Sequence, residues 1–119
     1  MLESRPTLKL YRIFLFAALI FSSGVALAEE DTTSAIYVMP GCRSLLTEDN
    51  SRTYLQGVCA GLISALFYMS VDRCPPAGVT RGKINHVVVQ YIASRPARMQ
   101  EDFKDLALEA IRAAWPCKR

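Results

Sequence analysis

The sequence holds a single histidine, His86, and its four cysteines contain no Cys-x-x-Cys pair. Cysteines at 42, 59, 74 and 117 with one lone histidine do not have the spacing of a zinc site. No HExxH, phosphate-binding glycine loop or dinucleotide fingerprint occurs. A catalytic centre needs a nucleophile, a base and an orienting group, and the chain supplies no such set. The expectation is therefore no enzyme, no metal, no cofactor and no catalytic residue. The acidic cluster Glu101, Asp102 and Asp105 is read as the opening of a helix, where negative charge suits the dipole. Internal repeats and low-complexity tracts are also missing. With 119 residues, 51% of them hydrophobic and 21% charged, the chain is long enough for one globular domain.

An excess of either charge is absent once the first 28 residues are set aside. They carry Arg5, Lys9 and Arg12 against Glu3, and the remainder of the chain is nearly balanced. The overall net charge of +3 is thus no footprint for nucleic acid. The apolar run Ile13–Phe21 rises only about 14 Å as a helix, roughly half a bilayer core. Ser22, Ser23 and Gly24 break it, and Ala26-Leu27-Ala28 has the small-x-small form of a signal peptidase site. Residues 1–28 are expected to be a cleaved signal peptide, leaving no membrane segment. All four cysteines then fall in a short exported domain, where an even count predicts structural disulfides.

Residues 29–41 are expected to form a flexible N-terminal segment, a polar start leading into a short ordered stretch, Ala35–Met39, that ends at Pro40-Gly41, with Cys42–Leu46 as a short helical turn. Leu55, Val58, Cys59, Leu62, Leu66 and Met69 follow helical spacing and predict a helix over about Arg52–Val71. Pro75-Pro76 cannot continue it. Its apolar surface is wide, because Ile63, Phe67 and Tyr68 lie off the first stripe. Gly57 and Gly61 form a GxxxG pair, open either to close approach by a second helix or to ordinary packing. Thr80 is placed as the cap of a second helix carrying Ile84, Val87, Val88, Tyr91 and Ile92. A third helix is expected from near Pro96, with Phe103, Leu106, Ala107, Ala110, Ile111 and Ala114 on its inner face, until Trp115-Pro116-Cys117 stops it.

The predicted fold is all-α: a small disulfide-stapled bundle of three main helices plus a short N-terminal helical segment, spanning residues 42–119. Up-down-up topology brings the ends of the first and third helices together, so Cys74 should pair with Cys117. Cys42 is then left to clamp the N-terminal segment onto Cys59.

Several stretches in this order resemble a known family. They are Cys59-x-Gly61, then Cys74-Pro75-Pro76-x-Gly78-Val79-Thr80, then Val88-x-x-Tyr91-Ile92-x-x-Arg95-Pro96, and finally Ala107-Leu108-x-Ala110-Ile111-x-x-Ala114-Trp115-Pro116-Cys117. Together they resemble the Rap1a/Tai immunity proteins, small exported helical proteins of Gram-negative bacteria. The chain departs from the family pattern at Leu62, Ala65 and Lys83. The resemblance implies a periplasmic protein that binds a peptidoglycan amidase delivered by type VI secretion, occludes its active site, and forms a homodimer. The alternative is a periplasmic stress or chaperone-like binding protein with no toxin partner.

A plug for a cleft must protrude, hold its shape and carry polar groups. The turn with Asp72, Arg73, Pro75, Pro76, Gly78 and Thr80 meets those demands, its prolines lowering the entropy of the free state. Arg95 and Arg98 offer a second polar site. The wide apolar face at Ile63, Phe67 and Tyr68 is assigned to self-association, against the alternative that the N-terminal segment covers it.

Overall fold

A computed structural model describes Gly24 and residues 29–118; the expected signal peptide, residues 1–28, therefore lies outside the described residues save for Gly24. Within the unit from Asp31 onward there are four helices: α1 (Ala35–Leu46), α2 (Thr53–Met69), α3 (Arg81–Ala93) and α4 (Phe103–Ala114). Short 3-10 turns, Asn50–Arg52 and Pro96–Arg98, precede α2 and α4. Among the described residues there is no strand, and the domain is an all-α bundle closed by two disulfides.

The N-terminal segment corrects the sequence reading. Residues 29–41 are not a flexible lead ending at Pro40-Gly41, because α1 begins at Ala35 and runs through both. Its first amides, which have no partner inside a helix, are satisfied from elsewhere in the fold. Ala35 N–H donates to the Glu101 carbonyl at 2.9 Å and Ile36 N–H to the Met99 carbonyl at 2.8 Å. Phe103 N–H donates back to the Thr33 carbonyl at 2.9 Å, so the start of α1 and the entry to α4 hold each other. An interior proline costs roughly 3 kcal/mol through a lost hydrogen bond and a clash. Against that, Ala35, Val38, Met39 and Cys42 are fully buried. Complete burial of a Val or Met side chain is worth about 1.5–3 kcal/mol each, so packing outweighs the proline.

Gly41 explains why α1 lies so close to α2. A Cβ at this position would sit 2.3 Å from both the carbonyl carbon and oxygen of Leu55. Only glycine permits that backbone approach. One turn away, the Cys42–Cys59 disulfide joins the same two helices across a sequence separation of 17. Their connection is clamped by polar contacts: the buried Ser44 hydroxyl donates to the Asp49 carbonyl, and Gln56 Nε2 donates to Ser44 Oγ at 2.8 Å. Asp49 in turn caps the 3-10 turn by accepting from Ser51 N–H at 3.0 Å.

The inner face of α2 is Cys59, Ile63 and Phe67, one i, i+4, i+8 row. α3 starts where expected, with Thr80 Oγ1 accepting from Lys83 N–H at 3.2 Å, and buries Ile84, Val88, Val89 and Ile92. The consecutive valines are helical because the groove between neighbouring helices accepts two of the three. Pro96 does not open the last helix, as the sequence reading had it. It opens the 3-10 turn, and α4 begins at Phe103, where the Asp102 carboxylate accepts from Lys104 N–H at 2.8 Å. That carboxylate satisfies an amide of the first turn that has no partner inside the helix, and the Asp102 backbone separately pairs with Ser34 in an isolated antiparallel bridge. The second disulfide, Cys74–Cys117, spans 43 residues and ties the segment after α2 to the segment after α4. Both pairings match those expected from helix topology. In the chain-entropy account the loops of 17 and 43 residues contribute about 3 and about 4 kcal/mol.

Candidate partner-binding surface

The segment from Ser70 to Thr80 leaves the bundle at the C-terminal end of α2. Its base is anchored several times over. Cys74 N–H donates to the Trp115 carbonyl at 2.8 Å, beside the Cys74–Cys117 bridge. The Asp72 carboxylate pairs with Arg112 of α4 at 2.7 Å, in a half-exposed geometry where water screens the attraction. The Arg73 guanidinium lies 4.0 Å from the centre of the Phe67 ring and donates through Nε to the Phe67 carbonyl. Phe67 also meets the edge of Trp115, with ring centres 5.7 Å apart.

Beyond this base the turn is exposed. Pro75 is half-buried, whereas Pro76, Ala77, Gly78 and Thr80 face solvent. Gly78 has a φ of +81°, the value a type II turn demands at its third residue, and any other side chain would be strained there. The structure thus divides the expected site. Pro76 and Gly78 form the tip, Asp72 and Arg73 are spent on holding the base, and the Thr80 hydroxyl caps α3.

Beside the turn, a shallow groove of about 360 Å³ runs between α2 and α4, lined by Leu66, Met69, Val71, Leu108 and the Asp72–Arg112 pair. Val71 is 96% exposed and Met69 79%. Sequence reasoning placed Met69 in the core and passed over Val71 and Leu108. A signal was available, since no charged residue occurs anywhere in Thr53–Met69 and the helix has no solvated charged side.

The outward face of α2 consists of Tyr54, Gly57, Gly61, Leu62, Ala65, Tyr68 and Met69. A Cβ at Gly57 or Gly61 would meet nothing within 4 Å, so neither glycine serves close packing inside the domain. The self-association face predicted from sequence needs correction here. Ile63 is wholly buried and Phe67 only 5% exposed, because the core takes the row that includes Cys59. Only Tyr68 of that trio remains at the surface, 66% exposed.

The model of the Rap1a immunity proteins matches residues 32–117, from before α1 to the last cysteine. The chain belongs to the Rap1a immunity protein family. Membership implies an immunity protein directed against a secreted effector. No curated protein and no solved structure matches the chain.

Arg95 and Arg98, the second polar site expected of this Rap1a chain, come together in a network. Arg98 makes a 2.7 Å ion pair with Glu101 and a 2.6 Å pair with Glu109. Glu109 also accepts from the Tyr91 hydroxyl at 2.7 Å. Arg95 stacks over the Tyr91 ring at 3.5 Å and donates to the Tyr91 carbonyl at 2.8 Å. Arg98 is therefore consumed by two carboxylates and tethers the turn before α4 to α4 itself. Its hydrogen bonds, helped by Tyr91, bring the Glu109 carboxyl down from 4.5 to about 2. The same bond to Glu109 raises the Tyr91 hydroxyl.

A depressed carboxyl stabilises the fold above its unfolded value and loses that contribution as pH falls. For Glu109 the loss runs from about 4.5 down to about 2. Glu109→Gln should lower the melting temperature at neutral pH, and the gap to wild type should close across that window. A gap that stays constant between neutral pH and the bottom of the window would show that this carboxylate is not the titrating element. The only histidine, His86, is exposed on α3.

Proposed function

We propose that this Rap1a protein is a periplasmic immunity protein that binds a type VI-secreted peptidoglycan amidase and blocks its active-site cleft with the 72–80 turn. The supporting observation is the turn itself: an uncharged Pro76-Ala77-Gly78 tip on a base fixed by a disulfide, a backbone hydrogen bond and a stacked arginine. Such a tip loses little conformational freedom on entering a cleft, which favours tight binding from a small contact. Residues 1–28 supply the export signal that this reading requires. We assign the uncharged outward face of α2, centred on Gly57, Gly61 and Tyr68, to a homodimer contact.

Co-expression with periplasm-targeted amidases tests the reading, with lysis as the readout and co-purification as the second measurement. One amidase should be neutralised by the wild-type protein. Ala77→Glu, at the exposed tip, should abolish that protection and leave the melting temperature within a few degrees of wild type. Protection undiminished by Ala77→Glu in a folded protein would remove the turn from the binding surface. If no amidase is neutralised, the effector class is wrong.

A further inference from the structure

The two disulfides occupy opposite environments. Cys42 and Cys59 are both 0% exposed and bridge α1 and α2 beside their close approach at Gly41. Cys74 and Cys117 are both exposed, at the end of the bundle that carries the turn. Thiol–disulfide exchange needs a thiolate to reach a sulfur, so access separates the two bridges by rate.

The exposed bridge is the covalent anchor of the turn, beside the Cys74–Trp115 hydrogen bond, the half-exposed Asp72–Arg112 pair and Arg73 on the Phe67 ring. Among the described residues, the stretch from Pro75 to Val79 makes no hydrogen bond to the bundle. Its fixed points are Cys74 on one side and, on the other, the half-buried Val79 against the core and the Thr80 cap. Past Trp115, the cysteine at 117 is what returns the C-terminal end to the turn.

From this arrangement we propose that Cys74–Cys117 is a redox-sensitive latch: a dithiol reductant opens it selectively, loosening the 70–80 turn while the bundle stays folded around Cys42–Cys59. In the first step a thiolate of the dithiol attacks one exposed sulfur. The Cys74–Cys117 bond breaks, a mixed disulfide forms, and the other cysteine leaves as a thiolate that takes a proton from water. The second thiolate of the reductant then attacks the mixed disulfide, releasing the remaining cysteine and closing the reductant's own disulfide. Two electrons pass from the dithiol to the bridge. The consequence for protection, loss of the pre-shaped plug, rests on the function proposed above.

The test treats the oxidised protein with graded dithiothreitol under native conditions, traps free thiols by alkylation and maps them by mass spectrometry. Cys74 and Cys117 should be alkylated while Cys42 and Cys59 remain joined and helical circular dichroism is kept. Hydrogen exchange across residues 71–79 should accelerate at least tenfold, with α1 and α2 unchanged. Simultaneous opening of both bridges, or selective opening without faster exchange, would overturn the latch. The Cys74→Ser/Cys117→Ser double variant provides the open form without reductant. It should fold and bind an amidase that the wild type neutralises at least tenfold more weakly. Equal binding, or failure to fold, would also overturn it. If the wild type binds no amidase, the function falls, but the exchange measurement still decides the latch.

Discussion

Gly41→Ala is expected to destabilise the domain by roughly 3 kcal/mol or more, although alanine is the better helix former. Removing a glycine from a helix interior gains only about 1 kcal/mol. The added Cβ would lie 2.3 Å from the Leu55 backbone, and no rotamer can relieve a clash with main-chain atoms. Either α1 moves away from α2, opening a core that contains Val38, Met39 and Ile63, or the Cys42–Cys59 bridge is strained. Overpacking of this kind costs about 1–3 kcal/mol, and more when backbone is involved. For a domain of this size that corresponds to a fall of about 10–20 °C in Tm. Gly82→Ala in α3 is the control, since a Cβ there meets nothing within 4 Å and the residue lies outside the proposed dimer face. Thermal melts followed by circular dichroism decide the matter. A Gly41→Ala protein that melts with wild type would mean the two helices are not in backbone contact.

The second large effect separates core from surface on α2. Phe67→Asp should leave the protein largely unfolded. The ring is 5% exposed, packs edge-on against Trp115, and carries the Arg73 guanidinium on its face. Losing a buried phenylalanine alone costs about 3–5 kcal/mol. A carboxylate in its place adds the desolvation cost of a largely buried charge, which the neighbouring Arg73 offsets only in part. Tyr68→Asp, one residue on, should behave in the opposite way. Its side chain is 66% exposed, so the fold should keep its Tm within a few degrees. The homodimer proposed for the outward face should dissociate, as read by light scattering after size exclusion. A folded Phe67→Asp protein would contradict the core assignment. A Tyr68→Asp protein with the oligomeric state of wild type would remove this face from self-association.

Much of the bundle was legible in the linear order of residues. Thr80 capped α3 as expected, Trp115-Pro116 ended α4, and both disulfides joined the expected cysteines. These features depend on local rules: a hydroxyl near an unpaired amide, a proline that cannot donate, short connections that make helices antiparallel. The misread elements share a different origin. Pro40 and Gly41 look like a stop in one dimension, and nothing nearby in sequence contradicts that. The contacts that carry α1 through them come from Glu101, Met99 and Leu55, residues reached only by folding. Likewise, Leu62 and Met69 have the spacing of a core stripe but are exposed, while Ile63 and Phe67 were assigned outward and are buried.

From the sequence alone came the helical class, the exclusion of a recognisable catalytic or metal motif, the cysteine pairing and the resemblance to Rap1a proteins. Each depends on residue type and spacing along the chain, which physical chemistry can read without coordinates. The tertiary structure decided which side of α2 is inside, why Gly41 must lack a side chain, and that Arg98 is held by two carboxylates. It also decided which disulfide is buried and which is exposed beside the turn. The physical reason is the uncharged character of α2. With no charged residue to mark a solvated side, that helix offers more than one apolar row that could face inward. Only the close approach of α1 at Gly41, with Cys42 bound to Cys59, selects the row that includes Cys59 as the one turned inward.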